Sequence, residues 1–137
     1  MNKETILAIT EVESHPLKHP MGYEIHCDGY KITTDKQTIF VLIENDQQCC
    51  ESWGYICTTD DIKEFIGANL LSINLTAIAL SNTNLPAADW SNNMEIQFVN
   101  LHTDRGLLQL AVYNAHNGYY GHNIYVHSIQ LNHESLL

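Results

Sequence analysis

The residues with the greatest potential for chemistry lie in the stretch QQCCESWGYIC, from Gln47 to Cys57. Zinc sites made from cysteine usually show ligand pairs about two to four residues apart, with a second pair or histidines further along the chain. Here Cys49 and Cys50 are adjacent, and Cys57 lies seven residues beyond them. This spacing predicts neither a metal site nor any other cofactor.

The same cysteines are poor candidates for a thiol nucleophile. A reactive cysteine needs positive charge or a helix N-terminus to hold its thiolate, whereas Cys49 and Cys50 lie among Glu44, Asp46 and Glu51. The sequence also has no phosphate-binding glycine loop and no nucleophile elbow. We therefore expect that the protein is not an enzyme. A metal-dependent hydrolase that uses cysteine and histidine is the least favoured class.

Acidic and aromatic side chains around this stretch predict a protein-binding surface. Trp53 and Tyr55 alternate, so in a strand they point to one face. An aromatic pair rimmed by acids is suited to a surface rich in arginine or lysine. The other interpretation places both aromatic residues in the core and the acids on an ordinary solvated edge. The candidate partner-binding residues are Glu44, Asp46, Glu51, Trp53, Tyr55, Asp60, Asp61 and Glu64.

A second group of candidate residues surrounds Asn117–Gly118 in the stretch YNAHNGYYGHNIYV. The Asn-Gly dipeptide is typical of a hairpin turn, but a turn does not account for the tyrosines around it. Tyrosine-rich loops offer rigid contact area at low entropic cost, so this turn could form part of a small-ligand pocket. The candidate pocket residues are Cys50, Arg105, His116, Asn117, Tyr119 and Tyr120.

The charge of the chain narrows the classes of partner. Sixteen acidic residues against six basic ones give a net charge of -10. Such a charge repels nucleic acids and anionic membranes and favours basic proteins. The sequence shows no bilayer-length apolar run and no signal peptide, so we expect a cytoplasmic protein with reduced cysteines.

The elements that must position these residues are predicted to be mostly strands. The length of 137 residues predicts a single domain, residues 1–137. Thr38–Glu44 is apolar on both faces and typical of a central strand, and Asp28–Gly29 predicts a hairpin turn. One short helix is predicted in TTDDIKEFIG, ending at Gly67. The predicted fold is α+β, mostly β: a bent antiparallel meander sheet of about eight strands with one short helix.

The C-terminal half is predicted to contain four of these strands. They are LLSINLTAIAL (Leu70–Leu80), MEIQFVNLH, GLLQLAVYN and NIYVHSIQL. The last strand is expected at the edge of a sheet, where an uncharged strand needs covering. This expectation favours a symmetric homodimer.

Residues 40–127 contain four motifs in a distinctive order: QQCCESWGYI, DIKEFIGANLLSI, HTDRG and YNAHNGYYGHNIYV. This order resembles that of a family of small proteins of unknown function from phages and bacteria. The loop SNTNLPAADWSNN and the N-terminal region depart from the family pattern. The family has no activity to transfer, so the resemblance implies only the context of a phage or prophage accessory gene.

Charge, aromatic residues and this resemblance favour a non-enzymatic, phage-type inhibitor of a host defence system. The inhibitor would be anti-CRISPR-like and would bind a basic, nucleic-acid-binding host protein, such as a defence nuclease, in the bacterial cytosol. A CRISPR effector has a positively charged channel that an acidic protein can occupy. The alternative function is a small-ligand-binding protein that acts as a sponge for a defence signalling molecule.

Overall fold

The computed structural model describes residues 3–19, 21–46, 52–59, 61–79, 93–116 and 121–137, with only the backbone at 93 and 116. These residues contain nine strands and one 3-10 turn, at Ile62–Phe65. The strands are β1 (Ile6–Lys18), β2 (Glu24–Thr34), β3 (Thr38–Glu44), β4 (Ser52–Cys57), β5 (Leu70–Thr76), β6 (Asn93–Thr103), β7 (Gly106–His116), β8 (Asn123–His127) and β9 (Asn132–Leu136).

The strands form two open antiparallel sheets. One sheet has the order β1-β2-β3-β8-β9, and the other has the order β4-β7-β6-β5. The sequence prediction that Thr38–Glu44 is a central strand is confirmed, since β3 lies between β2 and β8. Its residues Val41, Leu42 and Ile43 are fully buried on both faces of the sheet.

The main core lies between the two sheets. Ile32, Ile39 and Val41 of one sheet pack in the same cluster as Leu108 and Leu110 of the other, and all five are fully buried. A smaller apolar cluster covers the opposite face of the five-stranded sheet and consists of Ile25, Cys27, Leu42 and Tyr125. β2 therefore buries one face in its first half and the other face in its second half.

Main-chain hydrogen bonds join the two sheets at the start of β1. The amide of Ile6 donates to Ala68 (2.9 Å), the amide of Gly67 donates to Ile6 (2.7 Å), and that of Leu70 donates to Glu4 (2.7 Å). These bonds fix the segment after the 3-10 turn against β1.

The predicted short helix is wrong. Asp61 adopts a left-handed backbone (φ 49°), and its side chain makes no capping hydrogen bond. Helix N-caps usually have extended backbone geometry with a side-chain acceptor, so this segment lacks a helix start and forms only one 3-10 turn. Phe65 is buried as the apolar stripe predicted, whereas Ile66 is exposed. No helix in the described residues is long and apolar enough to cross a membrane.

The predicted hairpin turn at Asp28–Gly29 is also wrong, because both residues lie inside β2. β1 continues through Pro16 to Lys18, with an irregularity in its pairing between Val12 and His15. The chain reverses instead where the amide of His19 donates to the main-chain oxygen of Tyr23 (2.8 Å), and again around residues 35–37.

The C-terminal strands differ from the prediction in number and position. The prediction of eight strands missed β9, whose residues alternate between exposed and half-buried. β8 pairs with both β3 and β9, so it is an internal strand. The expected edge strand is therefore wrong, and the homodimer, which was inferred from it, stays a prediction. β5 ends at Thr76, short of the predicted Leu80.

Candidate functional site

An acidic face surrounds Tyr55 where the edge strands β1 and β4 approach each other. The carboxylates of Glu11, Asp28 and Glu13 lie close enough to the Tyr55 hydroxyl to raise its pKa, and Glu11, on β1, has the largest effect of the three. The ring of Tyr30 contacts that of Tyr55 edge to face, with centroids 5.1 Å apart and an interplanar angle of 84°. We call these five residues the Tyr55 cluster.

The pairing of β1 with β2 brings the members of the Tyr55 cluster together. Glu11 shares one face of β1 with Ile9 because side chains alternate along a strand, and Glu13 follows in the irregular stretch of β1 beside it. Glu11 lies directly opposite Tyr30 across the pair, and directly opposed residues project to the same face. All of these side chains therefore point towards β4.

Asp28 is held in place by the loop that follows β3. Its Oδ1 accepts hydrogen bonds from the Ser14 amide (2.9 Å) and from the Asn45 side-chain amide (3.0 Å). The Asn45 side chain also donates to the Ser14 hydroxyl (3.1 Å). The left-handed backbone of Ser14 (φ 51°) is thus supported by side chains from two other strands or loops.

Burial and the Glu11 carboxylate keep the tyrosines of the cluster protonated. Burial raises the pKa of Tyr55 to about 12, and the nearby Glu11 carboxylate acts in the same direction. Burial likewise raises the pKa of Tyr30, with smaller contributions from Cys57 and Glu11. At neutral pH the cluster therefore presents neutral phenol donors beside negatively charged carboxylates, which suits it to bind cations.

A cavity of about 210 Å³ opens beside the Tyr55 cluster. Its lining comes from β1, β2, the end of β4 and the 3-10 turn, and consists of Ile9, Thr10, Glu11, Tyr30, Cys57, Ile62 and Lys63. The Cys57 thiol donates to the main-chain oxygen of Thr59 (3.2 Å). The cavity therefore combines apolar walls with one carboxylate and one ammonium group.

A second acidic feature is an open groove of about 510 Å³ at one end of the five-stranded sheet. Two predicted partner-binding residues, Glu44 and Asp46, lie in it together with Glu24. Glu24 pairs with His26 (3.2 Å), and the Glu44 carboxylate accepts a long hydrogen bond from Asn123 (3.5 Å). We call this feature the Glu44 groove; Tyr23, Ile25 and Asn45 complete its lining.

The predicted acids Asp61 and Glu64 are exposed but lie far from the Glu44 groove. The 3-10 turn that carries Glu64 is joined to the start of β1, which lies opposite Thr34 at the end of β2. Glu44 lies instead opposite Cys27. Seven residues of strand separate Cys27 from Thr34, which is about 23 Å at roughly 3.3 Å per residue. Of the predicted acids, the four that the structure describes therefore do not share one surface.

Trp53 packs at the rim of the main core. It is half-buried, contacts the core cluster and stacks on His122, with ring centroids 5.4 Å apart. His122 is buried, and its Nδ1 hydrogen-bonds the main-chain oxygen of Glu44. The indole N–H of Trp53 is buried and has no hydrogen-bond partner among the described residues. Trp53 thus links the core to the Glu44 groove.

Arg105 does not join the predicted ligand pocket. It lies in the turn between β6 and β7, where its guanidinium donates to the main-chain oxygens of Glu64 (2.9 Å) and Ile66 (3.0 Å). Predicted pocket residue His116 is at the opposite end of β7, about 33 Å away at roughly 3.3 Å per residue. Arg105 instead caps the 3-10 turn.

The remaining predicted site residues lie outside the described residues. They are Cys50, Glu51, Asp60, Asn117, Tyr119, Tyr120 and the side chain of His116. Strand pairing places Ser52, which follows Glu51, opposite Ala115, which precedes His116. Within the described ranges, no group of three or more histidine, cysteine or acidic residues is arranged to hold a metal ion.

Glu11, Glu13 and Asp28, the acids that act on Tyr55, were not among the predicted site residues. They precede Tyr55 by many residues, and only strand pairing brings them to it. A signal was present in the stretch ILAITEVE, where the alternation places both glutamates on the face that carries Ile9.

Raised pKa values at buried groups predict that the protein loses stability in alkali. Burial raises the pKa of Cys27 from its ordinary value of 9.0 to about 12. It raises the pKa of Tyr55 and Tyr125 from 10.0 to about 12. As pH rises from about 9 to 12, the unfolded chain loses these protons, first from cysteine and then from tyrosine, while the folded protein keeps them. The free energy of unfolding should therefore fall as pH rises through this window.

Thermal denaturation followed between pH 7 and 11 checks this expectation. The melting temperature should start to fall near pH 9, and Cys27→Ala should move that onset towards pH 10, where only tyrosine ionisation remains. A melting temperature that stays constant across the whole range would contradict it.

Comparison with known proteins identifies the family. A model described as a domain of unknown function (DUF7448) matches residues 4–126, which contain the Tyr55 cluster and the Glu44 groove. No curated protein and no solved structure matches the chain. The match agrees with the predicted membership in a family of unknown function. The chain therefore belongs to the DUF7448 family.

Proposed function

We propose that the protein is a non-enzymatic inhibitor that binds a basic host protein through the Tyr55 cluster and the Glu44 groove. The observation that carries this proposal is the grouping of Glu11, Glu13 and Asp28 around Tyr55. Carboxylate and phenol oxygens at a gap between two edge strands can accept hydrogen bonds from the N–H donors of lysine and arginine, and the carboxylates complement their positive charge. The net charge of -10 acts in the same direction over longer distances.

The cluster and the groove adjoin along one side of the molecule. Asn45 hydrogen-bonds Asp28 of the cluster and lies between Glu44 and Asp46 of the groove. A single basic surface could therefore contact both features. Charge of one sign spread over such an area speeds association more than it adds affinity.

The partner class that fits this surface is a nucleic-acid-binding protein with a positively charged channel. A CRISPR effector has such a channel, which holds the guide–target duplex through its backbone. Resemblance to phage and bacterial proteins supports an anti-defence role, and the bacterial cytosol is then the place of action. The acidic side of the protein would occupy the channel and exclude nucleic acid.

Charge reversal at two exposed acids tests this proposal. Glu13→Lys combined with Asp46→Lys changes one member each of the cluster and the groove, and neither residue is part of the core. Association with the host protein captured by the wild type should slow by about tenfold or more at low salt. Thermal stability should hold, because exposed charges contribute little to it.

The matched control is Asp35→Lys combined with Glu134→Lys, which alters net charge equally at exposed sites outside the cluster, the groove and the cavity. It should slow association much less. A plaque assay in a strain with an active CRISPR system supplies the functional measurement, since the wild type should restore phage growth. Equal slowing by both pairs, or capture of no basic protein, would refute the proposal.

A small-ligand-binding protein is the second candidate function, favoured by the cavity beside Tyr55. Its volume of about 210 Å³ is below the roughly 300–1,000 Å³ of pockets for drug-sized ligands. Only a small molecule would fit, which disfavours a nucleotide signal. Native mass spectrometry of protein purified from the host would detect a retained molecule.

A further inference from the structure

We propose that the cavity beside Tyr55 receives an arginine side chain of the basic partner. This inference rests on the proposed function, because it names the group by which the partner is anchored. Hot spots of protein interfaces are typically arginine or aromatic side chains that fill a pocket near the centre of the contact.

The size and walls of the cavity fit one long side chain. Ile9 and Ile62 pack against the main core and supply apolar walls. An arginine side chain has an apolar stem that is favoured against such walls and a charged head that seeks a polar partner. A volume of about 210 Å³ is below that of pockets for drug-sized ligands and suits a single side chain.

The polar wall of the cavity fits a guanidinium group. Glu11 lies on the cavity lining close to the Tyr55 hydroxyl, and a carboxylate has about four lone-pair sites. It can therefore also accept two parallel N–H bonds from a guanidinium. Tyr30 adds an aromatic ring to the lining, and guanidinium groups stack on aromatic faces. Lysine offers neither the paired donors nor the planar group.

Lys63 provides a feature that distinguishes this site from a general acidic surface. Its ammonium group lies on the cavity lining and repels a second cation. Replacing Lys63 by glutamine should therefore tighten the binding of an arginine side chain. A merely apolar occupant would not respond in this way.

The test is an NMR titration of the labelled full chain with Nα-acetyl-arginine methylamide at millimolar concentrations. Amide shifts should be confined to the residues around Ile9, Glu11 and Ile62. The citrulline analogue is the matched control ligand, because it keeps the shape of arginine without the charge. It should bind about tenfold more weakly, since charge-assisted hydrogen bonds are the stronger ones.

Two variants complete the test. Glu11→Gln keeps an acceptor for Tyr55 and so should fold, but it should weaken binding of the arginine probe by about tenfold. Glu134→Gln on β9 is the matched control and should leave binding unchanged. Equal affinity for the citrulline analogue, shifts located elsewhere, or no shifts would overturn the arginine site. Capture of a basic host protein by the wild type could still succeed in that case, so the two failures are distinguishable.

Discussion

Replacing Gly29 by alanine is expected to lower the free energy of unfolding by about 4 kcal/mol or more, which few single substitutions do. Gly29 lies inside β2 with a φ of 154°, and a Cβ added there would lie 2.1 Å from the main-chain oxygen of Val41. It would also lie 3.0 Å from the Cα of Leu42. These atoms belong to β3, which is paired on both sides and cannot move away. Part of the chain population should be unfolded at ambient temperature.

Gly22→Ala is the matched control for this substitution. Gly22 also has a positive φ (97°), but a Cβ at this position would meet nothing within 4 Å. Only the left-handed backbone then opposes alanine, at a cost of about 1 kcal/mol. Urea denaturation of both variants gives the comparison. If the free energies of unfolding of the two variants agreed within about 1 kcal/mol, β2 and β3 would be able to separate at Gly29, and the prediction would be wrong.

Trp53→Ala is expected to cost about 3 kcal/mol, the lower end of the range for large aromatic residues, because the side chain is only half-buried. The melting temperature should fall on the order of 10 °C. The loss combines the contacts of Trp53 with the core and its stacking on His122. Affinity for the captured host protein should change little at a temperature where the variant is folded.

Trp53→Phe separates packing from polarity at this position. Phenylalanine keeps a ring against the core and removes the indole N–H, which is buried without a hydrogen-bond partner among the described residues. Removing an unpaired buried donor is favourable. The free energy of unfolding should therefore fall by well under half as much in Trp53→Phe as in Trp53→Ala. If Trp53→Ala instead keeps its stability and loses about 2 kcal/mol of binding, Trp53 is an interface hot spot.

Local pattern was sufficient to predict most strands of the protein. β3 could be recognised because Thr38–Glu44 is β-branched and apolar on both faces, as a strand buried on both faces must be. The strands β6 and β7 were predicted from MEIQFVNLH and GLLQLAVYN, and the turn between them occurs at Asp104–Arg105, as the spacing of the two segments indicated.

Tertiary contacts decided the features that the sequence analysis missed. Gly29 resembles a turn residue, but it is a glycine because the backbone of β3 approaches it closely. β9 was not predicted because its sequence NHESL is polar and has no strand-like apolar pattern. Its pairing with β8 holds it in the sheet. The candidate site also depends on tertiary contacts. Tyr55 could be identified from the residues next to it in the sequence, whereas Glu11 is distant in sequence and reaches Tyr55 only through the pairing of β1 with β2.

The position of β8 between β3 and β9 has a consequence for biosynthesis. Phe40 of β3 pairs with His127 of β8, so β3 emerges from the ribosome long before its neighbour exists. At roughly 5–20 residues per second, the wait lasts on the order of several seconds. During this time the sequence TIFVLIE is an apolar strand with an unpaired edge, which is the kind of segment that nucleates aggregation. Expression at low temperature with abundant chaperones should therefore raise the soluble yield more than any change to the acidic surface.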